Sequence, residues 1–449
     1  MKVSRPWPHA RRRRVVYSAV ASGTVWLDRR APSRRPVLPV RSHRKSPHDA
    51  TRRPRHSAAP TRPFFYRPGQ ELRMCTNFLL AVPNIPATGG SATQYISSRC
   101  MELTGVMKTS MYLVPAQQVF PLIKNGSVSW TGTYGFVALA DPSGMPVFPC
   151  FVDGINSAGL SCASLWLPGT SYAASASSNA LEYYDLGAWI MSQFATVDEV
   201  VPALAGINVI GPAPGSDLYK PLHFIATDPT GASVVIEFID GAMNVYPPSY
   251  DNGATQDGVL TNSPTYDWQR TNLADYINLN VEGSGTSSTN TSGPPVGAGL
   301  LGLPGDIMSA SRFVKAATLR KGYGKLPSDG TGWLPTVPDA GATGSTQTIV
   351  SAALSLVQII QATPYASALI SPATSAAAPT VGDWTMWQVA RDHTNAVYYF
   401  SSAFNPTVQK VDLSEVDFGG GSVKMSALKT IPVLPSPGAW YNDASSSFA

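Results

Sequence analysis

Cys75 follows Met74 directly, in the stretch RMCTNF, and few other residues of the chain compete with it for chemistry. The four cysteines are Cys75, Cys100, Cys150 and Cys162; no CxxC and no HExxH occurs, and only His223 and His393 follow residue 74. A zinc site is therefore not expected. A Cys–His nucleophile would need His223 or His393 as its base. Both stand in strand-like stretches, PLHFIA and ARDHTNA, without a dyad signature. Cys100, Cys150 and Cys162 read as small packing thiols. Cys150 and Cys162 straddle a turn at Asn156, where they could face each other across a hairpin. Another route opens if Met74 is an initiator that is trimmed. Cys75 then carries a free α-amine, with a pKa of about 7.7–8.0, beside its own thiol. One residue supplies nucleophile and base, with no histidine, metal or cofactor.

The charge distribution breaks at the same place. Residues 1–74 hold 19 Lys+Arg against three acids (Asp28, Asp49, Glu71), while residues 75–449 hold 14 basic and 25 acidic residues. The first segment is rich in Arg and Pro and shows no sustained apolar period. Such a chain cannot bury enough apolar area to offset its conformational entropy, and disorder is expected. It reads in three ways: a basic arm for nucleic acid or anionic membrane, an export leader broken by Ser, Gly and Thr, or text outside the working protein. The third is preferred, because QELRM can be encoded with AGGAG, a ribosome-binding sequence, just ahead of the Met74 codon. A Met74 start predicts a cytoplasmic protein; export follows only if 1–74 is a genuine leader. The longest nearly apolar run, 349–360, is too short to span a bilayer, so no membrane association is expected.

Strand and hairpin signals dominate after residue 74. CTNFLLAVP and ATQYISSRCMEL flank a Pro/Gly-rich turn, and three strands are expected in 134–169. KPLHFIATDPTGASVVIEFIDGAMNVY gives two strands and the start of a third, and 383–413 two or three more. Between them lie helices: one ending near Phe194, one capped by Thr196 with Glu199 completing a capping box, and two in ASRFVKAATLRKGY and TQTIVSAALSLVQIIQAT. Hairpins alternating with helix pairs predict an α+β domain of antiparallel sheets covered by helices. The expected division is 1–74 as extension, 75–420 as the domain and 421–449 as a tail.

MCTNF, SSRCMEL, NSAGLSCASLWLPG, VLTNSPTYDWQ and GLPGDIMSASRFVKAA resemble, in this order, the marker segments of the choloylglycine hydrolase / penicillin V acylase family. The resemblance spans about residues 75–415. It implies a four-layer αββα N-terminal nucleophile hydrolase sandwich and hydrolysis of linear amide C–N bonds through an acyl-enzyme. It also implies roles: Cys75 as nucleophile with its α-amine as base, and Arg99 beside the thiol. Asn262 and the backbone N–H of Trp166 would be oxyanion donors, and Arg312 would complete the charged cluster. Taken singly, Arg99 is a surface arginine, Asn262 a turn-former and Arg312 a helix-surface charge; only the ordered pattern reverses that. Two positions depart from the family. Glu102 stands where Asp usually holds the Cys amine. Trp166 stands where bile salt hydrolases often have Asn, a difference that favours penicillin V or N-acyl homoserine lactones over conjugated bile salts unless Trp166 is a packing residue. A small-molecule amide substrate is expected, with a homotetramer by resemblance and no nucleic acid for 75–449. The rival expectation is an inactive hydrolase fold behind a basic nucleic-acid- or membrane-binding arm.

Overall fold

The structure is a computed structural model that describes residues 74–84, 92–103, 109–121, 128–140, 150–174, 177–250, 258–279, 281, 299–325, 344–362, 383–403, 405–419 and 429–432. The chain divides into residues 1–62 and 63–449. The disorder expected for 1–74 falls outside the described residues up to position 73.

The strands are β1 (Cys75–Asn84), β2 (Ala92–Leu103), β3 (Ser110–Val114), β4 (Val119–Phe120), β5 (Trp130–Thr131), β6 (Phe136–Ala140), β7 (Asp153–Asn156) and β8 (Ser161–Trp166). They continue as β9 (Ala180–Glu182), β10 (Asn208–Ile210), β11 (Leu222–Thr227), β12 (Ser233–Ile239), β13 (Ala242–Tyr246), β14 (Trp384–Asp392), β15 (Val397–Ser402), β16 (Asn405–Asp412) and β17 (Lys429–Pro432). The helices are α1 (Leu186–Gln193), α2 (Val197–Leu204), α3 (Tyr266–Ala274), α4 (Ser309–Leu319) and α5 (Gly344–Ile360). The strands and helices expected from the sequence fall on these elements. The Thr196–Glu199 capping box forms at the start of α2, as its sequence predicts.

Two large antiparallel sheets result. One has the order β1-β2-β14-β15-β16, the other β13-β12-β11-β8-β7-β6-β3-β17. Part of the expected tail, β17, thus forms an edge of the larger sheet by pairing with β3.

Alternation along the strands divides the apolar side chains into two cores. Cys75, Met101, Val389 and Trp387 of the five-stranded sheet pack with Leu139, Ile155, Ala163, Leu165 and Ile225 of the other, and α4 and α5 add Phe313, Ala316, Ala353 and Val357 to this core. The opposite face of the larger sheet, with Cys162, Phe224 and Ile236, packs on α1 and α2 through Ile190, Met191 and Val200. The layers are therefore helices, sheet, sheet, helices: the αββα sandwich, with Cys75 between sheets at one edge.

Cys150 and Cys162 do not oppose each other across the hairpin, because the register sets Cys162 against Gly154. Both are free, and burial pushes each thiol up to about 12. Among the described residues no helix is long and apolar enough to cross a membrane, and no group of three or more His, Cys, Asp or Glu gathers as for a metal ion.

Candidate active site

The site is built on the open edge of the five-stranded sheet. β1 is an edge strand, and Cys75 pairs with Met101 of β2. The ladder bond beside this pair runs from Glu102 N–H to the Met74 carbonyl, 2.8 Å. In an antiparallel ladder that leaves Cys75 at a non-hydrogen-bonded position, so its own N–H and C=O turn away from the sheet. They meet two groups brought by other elements. Cys75 N–H donates to Asn262 Oδ1 at 2.6 Å, and Arg312 Nη1 of α4 donates to the Cys75 carbonyl at 2.6 Å and to Thr76 Oγ1. Arg312 Nη2 also donates to Asn262 Oδ1, 2.9 Å, while Asn262 Nδ2 donates to the Trp166 carbonyl, 2.7 Å. Two donors on one atom and a carbonyl against the other fix the orientation of the Asn262 amide. One of its two N–H bonds is spent on Trp166, leaving the second.

Asn262 reaches Cys75 because its loop is seated on β1. Asn77 and Leu260 exchange backbone bonds of 2.8 and 3.0 Å, and Asn77 Nδ2 donates to the Gly258 carbonyl at 2.8 Å. Gly258 has φ +61°, and a Cβ there would stand 2.6 Å from Leu79 Cβ. Only glycine allows this approach. Ser309 Oγ, the first residue of α4, accepts the Asn262 N–H at 2.9 Å.

The Cys75 side chain lies on the face toward the larger sheet, with Asn77, Arg99 and Met101 of the same parity. Met101 Sδ is 3.5 Å from Cys75 Sγ, and Arg99 Nη2 is 3.7 Å from it. Arg99 is fully buried, not the surface arginine its type alone suggests. Nη2 donates to the Ser164 carbonyl at 2.6 Å; Nη1 donates to the Val152 carbonyl and, at 3.1 Å, to Asp153 Oδ2. The guanidinium lies over the Trp387 ring, 5.2 Å from its centroid. Asp153 is also met by Arg391 Nη1 at 3.6 Å and by the Tyr398 hydroxyl, which donates to Oδ1 at 2.8 Å. Burial pushes the Cys75 thiol up, the Arg99 charge pulls it down, and Glu102 pushes it up again.

Glu102 comes three residues after Arg99. An odd spacing in a strand puts it on the other face, toward α4 and α5. Oε1 accepts the Thr385 hydroxyl at 2.7 Å, whereas Oε2, buried beside the site, has no partner. Burial raises its pKa against the pull of Arg312.

Trp166 brings its backbone to the site and its ring elsewhere. A β residue points N–H and C=O to one side, so the N–H turns to the same edge as the carbonyl that meets Asn262. The indole packs on the core beneath α1 and α2 and lines a groove of about 400 Å³ with Pro168, Pro214, Tyr219 and Pro221. The bulk of Trp166 is therefore spent on packing and this groove, not on the space around Cys75 Sγ.

The structure thus gathers Cys75, Arg99, Asn262, Arg312 and the Trp166 backbone, with Glu102 on the reverse face of β2. Sequence reasoning missed Asp153, Met101 and Thr76. A charged residue inside the apolar strand run PCFVDGIN was the available signal for Asp153. Neither histidine bonds to Cys75. His393 Nδ1 and Nε2 contact the Gly159 carbonyl and Ser97 Oγ, and burial, with Arg391 nearby, lowers its pKa to about 3.

Residues 89–332 match the model of the linear amide C-N hydrolases, choloylglycine hydrolase family. The chain is 36% identical over 191 residues to a bile salt hydrolase/transferase of Clostridium perfringens, covering 40% of this chain and 55% of that protein, so it spans just over half the length of that relative. It is 28% identical over 370 residues to a penicillin V acylase of Pectobacterium atrosepticum, covering 78% of this chain and 85% of that protein. Among solved structures, the Agrobacterium tumefaciens penicillin V acylase aligns with a TM-score of 0.54 at 22% identity, over 80% of this chain and 98% of that one. A variant of the Clostridium perfringens conjugated bile acid hydrolase aligns at 0.58 and 22%, over 80% and 97%.

Proposed function

Since the chain belongs to the choloylglycine hydrolase family of linear amide C–N hydrolases, we propose that it hydrolyses a linear amide with Cys75 as nucleophile and the α-amine of Cys75 as base. The observation that carries this is the edge position of Cys75: its nitrogen faces Asn262 and its sulfur faces Arg99, and neither His223 nor His393 bonds to it. While Met74 is attached, that nitrogen is an amide and has no basicity. The working enzyme therefore begins at Cys75, and residues 1–74 are not part of it.

Freed of Met74, the α-amine takes the thiol proton and the thiolate attacks the amide carbon. Arg99 offsets the sulfur's charge, and Arg312 holds the Cys75 carbonyl in place. The remaining Asn262 N–H and the Trp166 backbone N–H stabilise the oxyanion; one such donor contributes about 2.7–4 kcal/mol in other enzymes. The ammonium then protonates the departing amine, leaving a thioester. The amine next removes a proton from water, the hydroxide attacks the thioester, and acid and thiol are released. Glu102 is given the role of anion to this ammonium by its place three residues after Arg99, and its Oε2 is buried without a hydrogen-bond partner while Met74 is attached.

For the substrate, penicillin V or N-acyl homoserine lactone-like amides rank ahead of conjugated bile salts. Support comes from the long match to the penicillin V acylase. A second reading rests on Met74, which is buried with its carbonyl bonded to Glu102. A chain that kept Met74 would be inactive and would work through its basic arm.

The test is Cys75→Ala in a chain translated from Met74, assayed on penicillin V, an N-acyl homoserine lactone and a glycine-conjugated bile acid. Turnover is expected in the parent, highest on penicillin V, and none in the variant. Undiminished turnover in the variant removes Cys75 as nucleophile; preference for the bile acid overturns the substrate ranking.

A further inference from the structure

His223 and Glu237 have no part in the chemistry above, yet both touch the loop that carries Asn262. They stand opposite each other on β11 and β12, in the register that sets Phe224 against Ile236, and both are fully buried. His223 Nδ1 is 2.9 Å from Glu237 Oε1, and Nε2 is 2.9 Å from the carbonyl of Thr261, the residue before Asn262. Glu237 also accepts the Tyr266 N–H at 3.0 and 3.1 Å through its two oxygens. The pair therefore grips both ends of the segment from Thr261 to Tyr266.

The Thr261 carbonyl can only accept, so Nε2 carries a proton; the partner of Nδ1 is the Glu237 carboxyl. Neutral imidazole donates through one nitrogen only. Nδ1 and the Glu237 carboxyl then share one proton, and their contact is a hydrogen bond whichever of the two carries it.

We propose that the hydrogen-bonded His223–Glu237 pair is the positioning device of the oxyanion site: it fixes the Thr261 carbonyl and the start of α3, and through them the place of the Asn262 amide. His223 touches no reacting atom and is a positioning residue. The proposal rests on the reading of Asn262 as an oxyanion donor.

Three measurements test it on the chain beginning at Cys75. First, ¹⁵N-resolved spectra of the unsubstituted protein should show a hydrogen-bonded Nε2–H proton on the His223 ring, absent in His223→Leu. Second, His223→Leu should lower kcat on penicillin V by about 10²-fold, the scale of a misplaced catalytic group, with KM little changed. The rate of Cys75 alkylation by iodoacetamide should stay the same, because the thiol is untouched. Third, the double variant His223→Gln with Glu237→Gln replaces ring and carboxyl but keeps an amide-to-amide chain to Thr261, and should recover most of the lost kcat. A ring without a proton on Nε2 overturns the proposal, as does unchanged kcat per folded molecule in His223→Leu. If His223→Leu does not fold, the spectrum of the parent and the double variant still decide. The ring spectrum is independent of turnover, so a failure of the Cys75 reading is seen separately in Cys75→Ala.

Discussion

Asp153 and Glu102 are both carboxylates with almost no exposure, one on each side of the sheet that carries Cys75. Asp153 is saturated: Arg99 and Arg391 meet one oxygen and Tyr398 the other. Glu102 is half satisfied, with Thr385 on Oε1 and nothing on Oε2. A buried carboxylate that lacks a partner costs stability. Asp153 is the finished part of the site, a fixed counter-charge that holds Arg99 beside the sulfur. Glu102 is the unfinished part, with one buried oxygen unpaired while Met74 is attached; in the proposed mechanism the Cys75 ammonium is its partner.

The largest effect expected from breaking this contrast is at Asp153. Asp153→Asn leaves Arg99 and Arg391 without their anion, and removing one side of a buried pair costs about 3–5 kcal/mol. Denaturant unfolding measures the loss. In the same variant the Cys75 thiol should titrate lower, because the Arg99 charge is no longer offset; alkylation rate against pH reads this. Unmoved stability would mean that Asp153 is not the counter-charge.

Next comes Glu102→Gln, whose sign depends on the N-terminus. In the chain beginning at Cys75 the ammonium loses its anion, and kcat should fall by about 10²-fold. In the chain retaining Met74 the same change removes a half-paired carboxylate and should be neutral or stabilising. Equal behaviour in both chains would undo the contrast.

The smallest effect is in the pH dependence of stability. With Met74 attached, burial holds the Glu102 acid above the usual carboxylate range. Unfolding then releases a proton, so stability falls as pH rises from the unfolded carboxyl value through the folded one. Glu102→Gln should flatten that decline.

The helix and strand order was legible because the apolar periods are clean: β2 falls on ATQYISSRCMEL, and the capping box marks α2. Cys75, Arg99, Asn262 and Arg312 were legible only as members of an ordered pattern, since each is unremarkable alone. The faces of β2 were also legible in principle, because a spacing of three in a strand separates Arg99 from Glu102. What the sequence could not show is contact across sheets. Asp153 meets Arg99 across the sandwich, and His223 meets Thr261 through packing between distant segments. The direction of the Trp166 indole was hidden for a related reason. Leu165 and Trp166 are both apolar, and alternation does not say which faces the partner sheet.

The central claim is that the Cys75 nitrogen is a free amine in the active protein. Its most direct test is the intact mass of purified, turning-over enzyme, set beside the turnover of a chain kept uncleaved at Met74–Cys75. Active protein should begin at Cys75, and the uncleaved chain should not turn over. Turnover by a chain whose mass still includes Met74 would contradict the mechanism outright.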